Sequence, residues 1–412
     1  MKNDLENLMK QYGIDALWIS GPTQHNPAMV YMTGKAHVTD ADLFVMPGKT
    51  PFLCHNPMER EEAAKSGFQL INFAKYNYKA LLNEANNNIP TAIALRYKHI
   101  LTEIGLTKGK VLIYGTREVG NFYSALVQLQ KLMPDLVFSG DSEGAVLLEA
   151  RATKGQDELK RIEAMGHLTT TVVGRTAKFL TSHKVKNNTL IKEDGNPLTI
   201  GDVKRSINLW IAELGGENPE DTIFAIGKDA GIPHSNGTPS DELRLGQTIV
   251  FDIFPCEAGG GFFYDFTRTW CLGYAPDDVQ KLYNQVKEVY DTVTREVKAG
   301  MNVHHYQERT CELFEAMGHR TIREDTMTTH GYVHSLGHGV GLNIHEKPFC
   351  NQPSNETQIL KTGSVFTIEP GLYYPEKGMG VRLEDTYFVN ENFEFAKVVD
   401  FPMDLVLPVN GG

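Results

Sequence analysis

The sequence predicts an α/β domain over residues 1–152 followed by an α+β domain over residues 153–412 built from two pseudosymmetric halves. Three observations predict it. Short apolar runs alternate with helical spacing through the first domain. A long polar stretch from about Thr153 to His183 reads as one helix and marks a boundary. Beyond it, the order helix, helix, β-hairpin occurs twice, without obvious sequence identity between the copies.

In the first domain the runs ALWIS, DLFVM, TPFLCH, KVLIYG and DLVFSG read as strands, and residues 57–66, 92–105 and 118–132 carry helical spacing. The glycines of YGTREVGNF have the wrong spacing for a phosphate loop. His25 and His37 stand without chemical partners in the sequence, so no chemistry is assigned here. In the second domain, helices over 156–182 and 199–214 lead to strand-like runs at 248–254 and 262–270 around the Glu257–Gly261 turn. Helices over 276–299 and 303–318 lead to a Gly- and His-rich segment, then to runs at 364–369 and 380–389 around Pro375–Gly378. The stretch 184–197 is the most loop-like, with its charges toward solvent.

Composition excludes several classes. With 41% hydrophobic and 22% charged residues, the 412-residue chain reads as an ordinary globular protein. A net charge of −11 and the lack of a basic stripe argue against nucleic acid as a partner. The N-terminal MKNDLENLMKQYG lacks the apolar core of a signal peptide, and no apolar run is long enough to span a membrane. Five scattered cysteines without a CxxC pair predict free thiols and a cytoplasmic location. No G-x-S-x-G elbow is present, and neither Cys256 nor Cys350 is expected to act as a nucleophile.

Chemistry concentrates in the second domain. Asp252 interrupts the run Val250, Phe251, Ile253, Phe254, which predicts a buried carboxylate. Burying such a group is costly unless it is paired, protonated or bound to a metal. If each hairpin folds on itself, Asp252 meets Asp265 and Glu369 meets Glu384. Like charges at ~4 Å repel by about 4 kcal/mol at an effective dielectric near 20. Arg268, Lys377 and Arg382 are the few cations close in sequence, so divalent metal ions are the simplest explanation. Alternation puts Thr267 on the face of Asp265 and Arg382 on the face of Glu384, where the guanidinium would hold a ligand carboxylate in place. An imidazole is available from His334, His338 or His345; the glycines at 337, 339 and 341 argue against a helix that would pair two of them.

The motifs DFTRT, HGVGLNIHE, TIEPGLY and GVRLED together resemble the pita-bread metallopeptidases, in the prolidase and Xaa-Pro aminopeptidase branch. The resemblance is strong from residue 150 onward and looser before it, through GIDALWISGP and VYMTG. It implies a creatinase-like N-terminal domain and a pita-bread catalytic domain. It also implies a ligand set of Asp252, Asp265, His338, Glu369 and Glu384. His345 resembles the histidine that stabilises the tetrahedral intermediate, His334 one that faces the substrate, and His234 in DAGIPHSNG a loop histidine near the scissile bond. Arg382 is expected on the substrate side as well. The spacing from Asp252 to Asp265 is two residues longer than the family pattern, an insertion the EAGGG loop can absorb.

Four carboxylates and an imidazole suit two hard or borderline divalent ions, manganese first, with cobalt, zinc or iron as alternatives. Such a pair would activate a shared water, with Glu369 as both ligand and general base. The expected reaction is hydrolysis of the Xaa–Pro bond in dipeptides or longer peptides, by a homodimer. Two other readings stand beside it: a creatinase-like non-peptidase or a binding protein on the same fold, and a methionine aminopeptidase. The complete ligand set weighs against the first, and the N-terminal domain against the second.

Overall fold

The computed structural model describes residues 3–34, 36–350 and 358–409. The chain divides into two compact units. One runs to Ala150 and includes Gly259–Gly261; the other starts at Arg151.

The first unit is a six-stranded mixed sheet in the spatial order Gln69–Asn72, Phe52–His55, Ala41–Val45, Ala16–Gly21, Gly109–Gly115, Leu136–Ser139. Ala16–Gly21 is buried along its whole length. Its Leu17 and Ile19 enter one apolar cluster, with Leu5, Met9 and Met29 of the helices on that face. Ala16 and Trp18 enter a second, with Ala94 and Leu129 of the helices Ile89–Glu103 and Val119–Leu132. A strand covered on both faces needs apolar residues throughout, so ALWIS does not alternate. All five expected strands form. The sixth, Gln69–Asn72, escaped the reading because it is a short, half-exposed edge. The helix expected over 57–66 is a 3-10 turn, Pro57–Glu59, followed by Arg60–Ala64.

In the second unit the helices Gln156–Ser182 and Ile200–Glu213 precede a sheet ordered Ile223–Ile226, Thr248–Ile253, Phe266–Leu272, Val406–Leu407. Asp277–Glu296 and His304–Ala316 precede a sheet ordered Glu346–Phe349, His338–Gly339, Val365–Ile368, Asp385–Val389, Phe395–Lys397. The repeated helix–helix–sheet order is thus present. No helix among the described residues is long and apolar enough to cross a membrane.

Three expectations need correction. First, Asp252 pairs with Thr267, not Asp265. The strand begins only at Phe266 because Phe262–Tyr264 turn back onto Pro255–Glu257, through Glu257 N to Phe262 O and Tyr264 N to Pro255 O. The two aspartates are therefore diagonal neighbours. Second, the Glu369–Glu384 hairpin is two ladders, Val365–Ile368 with Asp385–Val389 and Gly371–Tyr374 with Met379–Arg382. The pairing stops between them at Glu369–Pro370 and Leu383–Glu384, with Ile368 opposite Asp385 next in line. Third, the loop-like 184–197 contains a small hairpin, Lys184–Lys186 with Thr189–Ile191. Asn187 and Asn188 turn it, both at positive φ (51° and 66°), a conformation asparagine tolerates better than most residues.

Candidate metal centre

Local structure brings the acids together. Asp252 lies in a strand of the first half and Asp265 immediately before the neighbouring one; Glu369 and Glu384 lie at the break in the second-half hairpin. The two halves are stitched between them. Glu384 N donates to Thr267 O, Thr386 Oγ1 to Asp265 O, and Thr269 Oγ1 to Arg382 O. Thr267, Arg268 and Thr269 of DFTRT therefore each have a task. Thr267 Oγ1 donates to Glu384 Oε2 at 2.8 Å and accepts from Arg382 Nε at 3.3 Å. Arg268, fully buried, donates to the backbone oxygens of Thr267, Glu384, Phe401 and Pro402 and to Asp385.

The imidazole arrives on a segment whose glycines are forced by close passage of other chain. A Cβ on Gly337 would lie 2.0 Å from Thr367 O, and one on Gly339 2.1 Å from Lys347 O. His338 Nδ1 donates to Gly339 O at 3.2 Å, which leaves Nε2 as the lone-pair nitrogen. Nε2 stands 3.4 Å from Asp265 Oδ2 and 3.6 Å from Glu369 Oε1. Burial, then the neighbouring His345, push the His338 pKa down to about 3, so the ring is neutral, as a metal ligand must be.

All five expected ligands line one cavity of ≈ 430 Å³. Ligand atoms of Asp265, His338 and Glu384 lie within 4.8 Å of one another, a group that can hold a metal ion. The test of fit is in the lone pairs. One oxygen each of Asp252 (Oδ1), Asp265 (Oδ1) and Glu384 (Oε1) is buried with no hydrogen-bond partner among the described residues. Buried polar atoms are normally satisfied. Burial and mutual repulsion raise the pKa of Asp265 and Glu369, and bring Glu384 to about 8, with Asp252 the main charged neighbour of Glu384. A cluster that resists full ionisation yet leaves oxygens unpartnered is what a divalent cation completes. The residues fit the metal.

Arg382 Nη2 holds Asp252 Oδ2 at 2.6 Å, while its Nη1 donates to Tyr373 Oη (2.7 Å) and Pro233 O (3.1 Å). Tyr373 Oη in turn donates to His334 Nε2 at 2.8 Å, since His334 Nδ1 donates to Ser335 O. Tyr373 escaped the sequence reading; its signal was its place in TIEPGLY, two residues from Gly371 on a strand whose other side is core. His334 sits in the pocket wall with both ring nitrogens engaged, and burial, then Arg382, lower its pKa to about 3. His234 lies exposed on the loop after Asp229–Gly231 and lines the same cavity. That loop is anchored where Gly380 packs on Ala230 O, since a Cβ there would lie 1.9 Å away. His345 is exposed to the cavity, edge-on to His338 with ring centroids 4.3 Å apart. His305 is exposed and His304 half-buried, both away from the cavity lining.

Known proteins place this architecture. An Xaa-Pro dipeptidase of Pyrococcus furiosus is 36% identical over 185 residues, 43% of this chain and 47% of that protein. The match thus spans about half the length of that relative. A dipeptidase structure from Pyrococcus horikoshii OT3 superposes over 98% of both chains with a TM-score of 0.73 at 24% identity. The Xaa-Pro dipeptidase of Bacillus anthracis does so over 98% of this chain and 97% of its own, with a TM-score of 0.75 at 21% identity. These likenesses establish the pita-bread fold. The model of metallopeptidase family M24 matches residues 161–391, more than half of the chain and a span that contains all five caged side chains. Fold, motifs and a donor set that calls for divalent metal therefore agree: this chain belongs to metallopeptidase family M24.

Proposed function

We propose that the chain is a dinuclear exopeptidase that hydrolyses the Xaa–Pro bond of dipeptides or short peptides. The observation that carries the reading is the set of partnerless buried carboxylate oxygens facing one neutral imidazole in a single cavity. Asp252, Asp265, His338, Glu369 and Glu384 would hold two ions, manganese by preference, with cobalt, zinc or iron suited to the same donors. When bound, they supply a water activated near neutral pH and polarise the scissile carbonyl.

The chain's own groups supply the rest. Glu369, half-buried at the cavity, would take the proton of the attacking water and return it to the leaving nitrogen. His345 is held neutral: partial burial of the ring lowers its pKa, outweighing the opposing pull of Glu220. Its ring N–H would donate to the oxyanion as it develops. His234 would contact the substrate from its exposed loop, and His334 and Arg382 shape the wall that receives it. An Xaa–Pro amide has no N–H to satisfy. The apolar part of the wall, Ile223, Phe254, Ile344 and Phe349, therefore suits the ring without leaving a donor unpaired. The five cysteines are buried and free, which suits a reducing cytoplasm, and the family resemblance implies a homodimer that light scattering would check.

The test is a hydrolysis panel with manganese-loaded protein: Ala-Pro, Ala-Pro-Ala, Ala-Ala-Ala, acetyl-Ala-Pro-Ala, Met-Ala-Ala and creatine. Turnover confined to the first two is expected. Fast cleavage of Ala-Ala-Ala would remove the proline preference, and cleavage of the acetylated peptide would remove the exopeptidase assignment. Turnover of creatine alone would place the chain with the non-peptidase relatives.

A further inference from the structure

The segment that carries His345 is held by charges that take no part in the cage. Glu346, the next residue, is 1% exposed. Arg151 Nη2 contacts its Oε2 at 2.5 Å, and Lys154 Nζ its Oε1 at 2.7 Å. Both cations are themselves buried. The same Arg151 nitrogen donates to Asn343 Oδ1 at 2.6 Å. Residues 343 and 346 are therefore pinned to one guanidinium, with Ile344 and His345 between them. Gly341 makes room for this: a Cβ there would lie 1.9 Å from Glu346 Oε1. Across the ladder, Glu346 is paired with Gly339, beyond the bulge that follows His338. Burial opposes ionisation of Glu346, yet Lys154 and Arg151 outweigh it and hold the carboxyl below its usual range.

Stability alone is a weak reason for such a cluster, because replacing buried ion pairs by apolar groups of similar volume is often neutral or stabilising. What the cluster does supply is a fixed backbone on both sides of a ring that has little else to hold it. Among the described residues the His345 ring makes no hydrogen bond, and its ring contact is the edge-on one with His338. A catalytic donor misplaced by about 1 Å can cost roughly a hundredfold in rate.

We propose that Glu346, clamped by Arg151 and Lys154, is a positioning residue that sets where the His345 ring stands beside the metal cage. The inference rests on the peptidase reading above, in which His345 serves the reacting carbonyl.

A double-mutant cycle tests it. Ala-Pro hydrolysis would be measured with manganese-loaded wild type, Glu346→Gln, His345→Ala and the double variant. Glu346→Gln should lower kcat by about ten- to a hundredfold, with KM and bound metal nearly unchanged. On the His345→Ala background the same change should cost less than about twofold, because residues that act through one another are not additive. Equal losses on both backgrounds, or no loss in either, would overturn the proposal. Should Glu346→Gln fail to fold, Arg151→Lys enters the same cycle, since it keeps the charge but loses the two-way grip on Asn343 and Glu346. A second readout needs no turnover: the ring proton–carbon resonance of His345 in chelated protein, identified by its loss in His345→Ala. Glu346→Gln should move and broaden it while the His234 resonance stays in place; a His345 signal that does not change would overturn the clamp. Wild type inactive on every peptide would instead overturn the peptidase reading, and the resonance would then decide the clamp.

Discussion

Glu384 and Asp385 are adjacent, equally acidic and almost equally buried, at 1% and 0% exposure, yet they do opposite things. Asp385 points into the core and is saturated. Arg268 Nη2 reaches it at 2.8 Å, Lys397 Nζ at 2.9 Å, and the Tyr290 hydroxyl donates to it. Glu384 points into the cavity, where Thr267 satisfies Oε2 and Oε1 is left without a partner. Strand alternation sends the two side chains to opposite faces. A buried acid whose lone pairs are all taken by the protein holds structure together. One whose lone pairs are left over is reserved for something the protein binds.

The contrast should break most visibly in Glu384→Gln. We expect near-complete loss of peptidase activity and of at least one equivalent of metal, read by elemental analysis. The melting temperature of the chelated protein should hold near neutral pH and rise above about pH 8, where the wild-type carboxylate is ionised beside Asp252. Asp265→Asn should behave in the same way. Full activity in extensively chelated wild type would end the metal reading for both. The histidines sharpen the same line between holding metal and using it. His345→Ala should lower kcat by roughly 10²–10³ and keep its metal, whereas His338→Ala should lose metal. Equal metal loss in the two would show the roles to be misassigned.

Asp385→Asn should do the reverse of Glu384→Gln. Removing one member of a buried ion pair costs about 3–5 kcal/mol, so urea unfolding should shift strongly while the metal stoichiometry of the folded fraction stays intact. A smaller effect separates the two acids by pH. In chelated protein the pKa of Glu384 is raised to about 8 by burial, then by Asp252. A raised folded pKa gives stability that is complete below the unfolded carboxylate range and is lost as pH rises through about 8. Metal should therefore raise the melting temperature more at pH 8.5 than at pH 5.5, and equal shifts would count against the strained cluster. The smallest effect is expected far from both acids. Thr199 caps Ile200–Glu213 reciprocally with Asp202, so Thr199→Ala should cost about 1 kcal/mol and leave turnover unchanged.

Much of this was readable in the linear chain. Asp252 in an apolar run announced a buried acid, and the structure leaves it 8% exposed. Alternation placed Thr267 and Arg382 beside the cage, where both make contacts to its carboxylates. The glycines of HGVG ruled out a helix, and the Lys347 backbone beside Gly339 and the Glu346 carboxylate beside Gly341, which exclude a Cβ, account for them. These features are local: spacing along a strand and the space open to a glycine travel with the sequence itself.

What the chain alone left undecided depends on pairs far apart in it. Sequence spacing placed Asp252 opposite Asp265, but the fold-back of Phe262–Tyr264 onto Pro255–Glu257 moved the register to Thr267. The sequence singled out Glu384 as the expected ligand, but what anchors its neighbour Asp385 was not legible, since Arg268 and Tyr290 are brought to it by another strand and a helix. The clamp on Glu346 comes from Arg151 and Lys154, nearly two hundred positions earlier. Composition and periodicity decide which residues must be buried, because burial follows from chemistry and alternation. Which lone pairs remain free after burial is decided by the tertiary structure, because only the folded chain determines which donors reach them first.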